Sequence, residues 1–161
     1  MALLKVKTTE LEQLDTKVAA PAKAEAPKKE KDALGRTYGT GRRKNAIARV
    51  WIKAGKGKFS VNNRELDNYF PVETLRMKIL LPFALTEMTG KFDVLCTVKG
   101  GGHTGQAGAI QLGIARALDK FDSVYHVTLR KNGMLTRDSR VVERKKYGKV
   151  KARKSTQFSK R

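Results

Sequence analysis

The chain has 161 residues, with 35 Lys/Arg against 15 Asp/Glu, a formal net charge of +20, and a single cysteine. That length allows one domain with a modest core. The charge argues for a polyanionic partner. The longest apolar run, Ile79–Leu85, is far too short to span a bilayer and is interrupted by Pro82. With only Cys96, no intrachain disulfide can form, and no Cys/His cluster has zinc-ligand spacing. No metal or cofactor is expected, and the compartment is expected to be reducing. The N-terminus has no secretory apolar region. It carries six acids and no Arg before Arg36, unlike an organellar transit peptide. The chain therefore reads as cytoplasmic.

Residues 1–34 carry 7 basic and 6 acidic groups. Thr9 and Glu12 have capping-box spacing, and Leu11, Leu14 and Val18 share one helical face. A short helix there is marginal without a partner. Ala19–Ala33 is an Ala/Pro/Lys/Glu linker expected to be disordered. Residues 1–34 are thus expected to form an extension that precedes the fold.

The folded part, residues 35–135, carries 17 basic and 7 acidic groups. Thr37–Thr40 is a strand candidate. Gly41-Arg42-Arg43-Lys44-Asn45 places three adjacent cations on a Gly-bearing loop. Ala46–Lys53 alternates, with Ala48, Val50 and Ile52 on an apolar face and Ile47, Arg49, Trp51 and Lys53 on a mixed one. Ala54–Gly57, with Lys56, reads as a hairpin loop, Lys58–Val61 as the returning strand, and Asn62-Asn63 as its end. The result is a meander with cations at its start, on one face and at its turn. Arg49 beside Trp51 suits RNA, whose bases stack on rings and guanidinium planes. Equally, Trp51 could pack beneath a neighbouring element and leave only the cations exposed.

Pro71 suits a helix start. Val72, Leu75 and Ile79 share a face, with Arg76 and Lys78 off it, and Pro82 is expected to break that helix. A second helix is expected over Phe83–Met88, stopped by Gly90. Phe92–Lys99 is the clearest strand. Phe92, Val94, Cys96 and Val98 point one way, which makes Cys96 a buried, inert thiol.

Gly100, Gly102 and Gly105 match G-x-G-x-x-G, but no repeating βαβ pattern, closing acid or P-loop lysine follows. Two simpler readings remain. The loop, including Gly101, Gly102 and the adjacent Gln106, offers backbone N–H groups to an anion. Or the glycines only permit a tight turn and close packing. His103 reads as a loop hydrogen-bonder. Ala107–Lys120 is an amphipathic helix with Ala107, Ile110, Ile114 and Leu118 facing the core, and its small residues allow close approach to the sheet. Val124–Asn132, opened by Ser123 and closed by Gly133, favours strand by propensity.

Residues 136–161 carry 11 basic and 2 acidic groups, and their sparse apolar residues fit neither helical nor strand spacing. Such a segment cannot bury enough surface to offset its ordering entropy. It reads as an extended basic tail. Arg137, Arg140, Arg144, Lys149, Lys151, Arg153 and Lys154 are phosphate ligands along it, and Lys99 extends the basic surface of the body.

Four stretches carry a resemblance: Gly41–Val50; Val98–Gly102 with Gly105–Ala109; Leu135–Gly148; and Gln157–Arg161. They resemble the bacterial form of family nine of the small-subunit ribosomal proteins. The resemblance implies an α+β fold: a four-stranded mixed sheet with helices on one side, a left-handed βαβ crossover and a long extended basic tail. It also implies a helix, not a strand, over Val124–Asn132. Its implied partners are the 3′ major domain of small-subunit rRNA, neighbouring proteins of the subunit head, and peptidyl-site tRNA, with no membrane and no small-molecule substrate. By the same resemblance Arg42, Arg43, Lys44, Lys145 and Lys146 contact rRNA, and Lys160 and Arg161 contact tRNA. His103-Thr104 departs from the commoner apolar-Ser pair. The competing classes are a phosphotransferase using the Gly-rich loop, a protein subunit of an RNA-processing enzyme, and a DNA-compaction protein.

Overall fold

A computed structural model describes residues 32–159. The helix expected around Thr9–Val18, most of the linker, and Lys160 and Arg161 lie outside the described residues. Strand β1 (Thr37–Arg43) and strand β2 (Ala46–Ala54) form an antiparallel hairpin, in register from Thr37 opposite Ile52 to Arg43 opposite Ala46. The cationic loop expected at Gly41–Asn45 is thereby corrected. Gly41, Arg42 and Arg43 continue the strand, and only Lys44-Asn45 turns, with Lys44 left-handed at φ 50°.

Strand β3 (Phe59–Val61) does not return along β2. Strand β5 (Phe92–Lys99) lies between them, antiparallel to β2 and parallel to β3. The expected meander is therefore wrong, and the chemistry of the β2–β3 loop explains why. The Asp93 carboxylate accepts the N–H groups of Lys56 and Lys58, both at 2.9 Å, and the Gly55 N–H donates to the Lys91 carbonyl. The loop is drawn over the start of β5 and lands on its far side. Asn62 and Asn63, both left-handed, then turn the chain into a two-residue strand β4 (Arg64–Glu65). The sheet has five strands, not four, in the order β1-β2-β5-β3-β4. The extra strand is the short edge made by that asparagine turn.

Between β4 and β5 run helix α1 (Leu66–Tyr69) and helix α2 (Glu73–Leu85). Pro82 does not break α2, and no separate helix forms over Phe83–Met88. The ring is buried, and the Thr86 hydroxyl donates to the Pro82 carbonyl at 3.0 Å, which steadies the last turn. The Met88 N–H closes onto the Phe83 carbonyl and the Glu87 N–H onto the Ala84 carbonyl. Left-handed Glu87, not Gly90, therefore ends the helix.

Helix α3 (His103–Phe121) packs on β1 and β2, and helix α4 (Val124–Lys131) follows it. Alternation in the strands buries one sheet face only. Ala46, Ala48, Val50 and Ile52 of β2, and Phe92, Val94, Cys96 and Val98 of β5, meet Ala107, Ile110, Ile114 and Leu118 of α3 in the core. The approach is close enough that a Cβ on Gly41 would collide with the Ala109 carbonyl and the Gly113 nitrogen. Helix α4 forms against its β-branched composition. Asp122 accepts the Val124 N–H, Leu129 is fully buried, and Gly133 at φ 67° lets the Met134 N–H reach the Leu129 carbonyl. Ser123 precedes it without a side-chain cap. From Thr136 to Ser159 there is neither helix nor strand, and nearly every residue is exposed.

Candidate nucleic-acid interface

The sheet face away from the helices is open. Register aligns its side chains across three strands: Tyr38, Trp51 and Leu95; then Thr40, Arg49 and Thr97; then Arg42, Ile47 and Lys99. Tyr38 and Trp51 are half-buried, with ring centroids 5.3 Å apart. The Arg49 guanidinium lies 5.0 Å from the Trp51 ring and 5.7 Å from that of Tyr38, and donates to the Tyr38 hydroxyl at 3.2 Å. Arg36 also lies over the Trp51 ring, at 5.9 Å. Among the described residues no secondary-structure element covers Trp51. Cations flank it, an arrangement worth roughly 0.5–1 kcal/mol per contact at exposed sites.

At one end of this face the Lys44-Asn45 turn meets the glycine loop. Gly100 and Gly101 are left-handed, at φ 76° and 63°, and lie against Asn45 and Ala46. For these two the tight-packing reading is right. A Cβ on Gly102 would meet nothing within 4 Å, so the backbone entering α3 stays open there. Gln106 braces the loop. Its amide donates to the Gly100 carbonyl at 3.2 Å, and its side-chain oxygen accepts the Tyr69 hydroxyl at 3.0 Å. His103 is the first residue of α3, not a loop hydrogen-bonder, and its ring stands edge-on to Phe70. Lys44, Lys99, Arg42 and, on the β2–β3 loop, Lys56 are exposed and form no ion pair among the described residues.

Arg43 differs from its neighbours. It lies across Gly108 of α3, donates to the Thr104 carbonyl, and reaches Asp138 with both Nε (3.3 Å) and a terminal nitrogen (3.1 Å). Arg140 forks the same carboxylate at 3.0 and 2.9 Å and adds its own N–H at 3.1 Å. The Arg140 side chain and backbone, with Arg43 behind them, hold the Asp138 carboxyl well below the usual carboxylate range. The tail therefore leaves the body from a pinned root. Farther along, Glu143 accepts from Arg153 at 2.9 Å and pairs with Lys146 at 3.1 Å. Arg137, Arg144, Lys145, Lys149, Lys151 and Lys154 form no ion pair among the described residues.

Tyr38, Arg36, Lys78 and Asp138 escape the sequence reading. Tyr38 is detectable by period-two spacing from Thr40 and Arg42, but Arg43, the partner that ties Asp138 to the body, is 95 residues away in sequence and leaves no local signal. Among the described residues no His/Cys/Asp/Glu group could hold a metal ion, and no helix is long and apolar enough to cross a membrane.

A basic α+β body with one open cationic sheet face and a pinned, unstructured basic segment is a protein shaped to lie against a polyanion. A family model described as Ribosomal protein S9/S16 matches residues 41–161. Curated proteins named Small ribosomal subunit protein uS9 are similar over all 161 residues of this chain and the whole of their own length. That of Rickettsia conorii is 57% identical and that of Rickettsia prowazekii 56%. The chain belongs to the Ribosomal protein S9/S16 family. It is a structural protein of the cytoplasmic ribosome and not an enzyme, which retires the phosphotransferase, processing-enzyme and DNA-compaction readings.

Proposed function

We propose that this protein is built into the head of the small ribosomal subunit, where it binds the 3′ major domain of the rRNA and touches peptidyl-site tRNA with its last residues. The observation that carries the reading is the pinned root. Arg43, Asp138 and Arg140 fix where the basic segment leaves the body, and most of the cations described beyond them form no ion pair among the described residues. The body, residues 35–135, anchors the protein. Arg42, Lys44, Arg49, Lys56 and Lys99 face rRNA, with Gly101, Gly102 and Gln106 shaping the adjoining loop. Arg43 serves indirectly, by holding the root. The tail, residues 136–161, follows the rRNA with Arg137, Arg140, Arg144, Lys145, Lys146, Lys149, Lys151, Arg153 and Lys154. Neighbouring proteins of the head complete the surroundings. The left-handed sense of the β3–β5 crossover belongs to the same proposal.

Reach is sufficient. At roughly 3.3–3.6 Å per extended residue, Arg144 to Arg161 spans about 60 Å, against a radius of gyration near 13 Å for a body of ~100 residues. Lys160 and Arg161 contact phosphates and so hold any tRNA alike. A photo-crosslinking group at position 161 tests this in assembled subunits. Adducts to the anticodon stem-loop of bound tRNA are expected. Adducts to rRNA alone would refute the tRNA contact, and a failure of the chain to enter subunits would refute the whole reading.

A further inference from the structure

Beside the tail root lies a cleft of about 290 Å³, walled by the end of β1, by α2 and α3, and by the chain from Gly133 to Arg140. Its charged lining is four cations, Arg42, Arg43, Lys78 and Arg140, against one carboxylate, Asp138. The oxygens of Asp138 are already taken by Arg43 and Arg140. Lys78 has no ion-pair partner among the described residues. Its side chain projects from α2 into the cleft, half-buried, with Arg43 and Arg140 close enough to repel it. Burial and then Arg43 lower its pKa, Asp138 offsets part of that, and Arg140 lowers it further, so the net effect is against its charge.

We propose that this cleft is the seat of a single phosphate group, held by Lys78 and Arg140, with Asp138 and Arg43 positioning the Arg140 guanidinium and Arg42 at the rim. The proposal rests on the rRNA reading and deepens it by giving one phosphate a built site at the tail root. The lining favours an anion, because its four cations face one carboxylate that is already paired. A phosphate group offers several acceptor oxygens at once and accepts guanidinium donors in pairs. Seating it relieves the repulsion on Lys78. It also ties α2, α3 and residues 136–140 together, so the direction in which the tail departs becomes linked to phosphate binding. An RNA phosphodiester and free orthophosphate share this chemistry.

The test is an amide NMR titration of the full chain with orthophosphate, with a short single-stranded RNA, and with acetate at matched ionic strength. Orthophosphate is expected to shift the amides of Gly108, Gly133 and Thr136. Lys78→Gln is expected to weaken that binding by about tenfold, the loss of one charge-assisted hydrogen bond. Lys91→Gln removes the same charge far from the cleft and is expected to leave it unchanged. Arg140→Gln, at a largely exposed side chain, supplies the same readout should Lys78→Gln fail to fold. If the RNA shifts the same amides and competes with orthophosphate, the seat belongs to the RNA backbone; if only orthophosphate does, it belongs to free phosphate. Absence of shifts at these amides, equal shifts with acetate, or equal weakening by Lys78→Gln and Lys91→Gln would each overturn the proposal. Binding of the wild-type chain to small-subunit rRNA, measured alongside, separates the two failures. A chain that binds rRNA without cleft shifts sinks only the seat. One that shows cleft shifts without rRNA binding sinks the rRNA reading.

Discussion

Asp138 stands between two guanidiniums, and that placement sets how the tail root responds to acid. Its folded-state pKa is depressed, first by Arg140 and then by Arg43. A carboxyl with a depressed folded pKa contributes stability that is complete above its unfolded pKa, about 3.9, and that fades as pH falls through the folded value. Asp138→Asn is therefore expected to lower the melting temperature by a constant amount at neutral pH. The gap should narrow only below about pH 4. Equal melting temperatures at pH 7 would show that the pinned root contributes nothing to the fold. Cys96 gives a second residue-scale expectation. Burial on the inner face of β5 pushes its thiol up to about 12, with desolvation as the cause. A thiol reagent at pH 8 should label the native chain negligibly and the denatured chain fully. Rapid labelling of native protein would mean the β5–α3 interface opens far more readily than its packing suggests. Cys96 was legible from alternation alone. Asp138 was not, because an ion pair across 95 residues has no sequence period.

The elements were readable where one face is buried along their whole length. Strand β5 has the expected span and face, and helix α3 the expected face though it begins at His103 and not at Ala107, because period-two and helical spacing of apolar residues directly encode burial while the glycine-rich first turn carries no such spacing. Pairing partners were not readable in that way. Nothing in Phe59–Val61 says that it pairs with β5 and not β2. That choice is made by Asp93 gathering the loop N–H groups of Lys56 and Lys58. Helix α4 was misread by propensity for a similar reason, since its stability comes from Leu129 and its two ends. The aromatic and arginine cluster on the open face was half legible. Trp51 and Arg49 alternate visibly, but Tyr38 joins them only through register. The β1–α3 contact carries the sharpest element-scale expectation. A Cβ at Gly41 meets backbone atoms of α3 that cannot give way, so Gly41→Ala should destabilise by about 3 kcal/mol, the upper range for overpacking. Gly102→Ala, where the Cβ meets open space, should cost under about 1 kcal/mol. Denaturant unfolding of both variants checks the pair, and similar losses would contradict the packing described.

At the scale of the whole molecule, charge is divided unevenly. The first 34 residues are nearly neutral, while the body and the last 26 residues carry almost all of the +20. Such a chain repels itself; the phosphates of a polyanion offset that repulsion, and the chain's cations release the counterions condensed on them. Removing only Lys160 and Arg161 is expected to leave assembly intact and to speed tRNA dissociation modestly, most visibly at low salt. Removing everything from Thr136 is expected to impair assembly as well, because it takes away the Asp138 pin along with most tail cations. An unchanged tRNA off-rate at several salt concentrations would show the terminal pair to be energetically idle. The most direct measurement is sucrose-gradient sedimentation of cell lysate, following this protein at moderate and high salt. It should travel with the small subunit and resist the salt wash, because its contacts combine many phosphates with a shaped body and a pinned tail. Recovery at the top of the gradient, or release with free RNA or DNA at modest salt, would contradict a structural place in the small subunit.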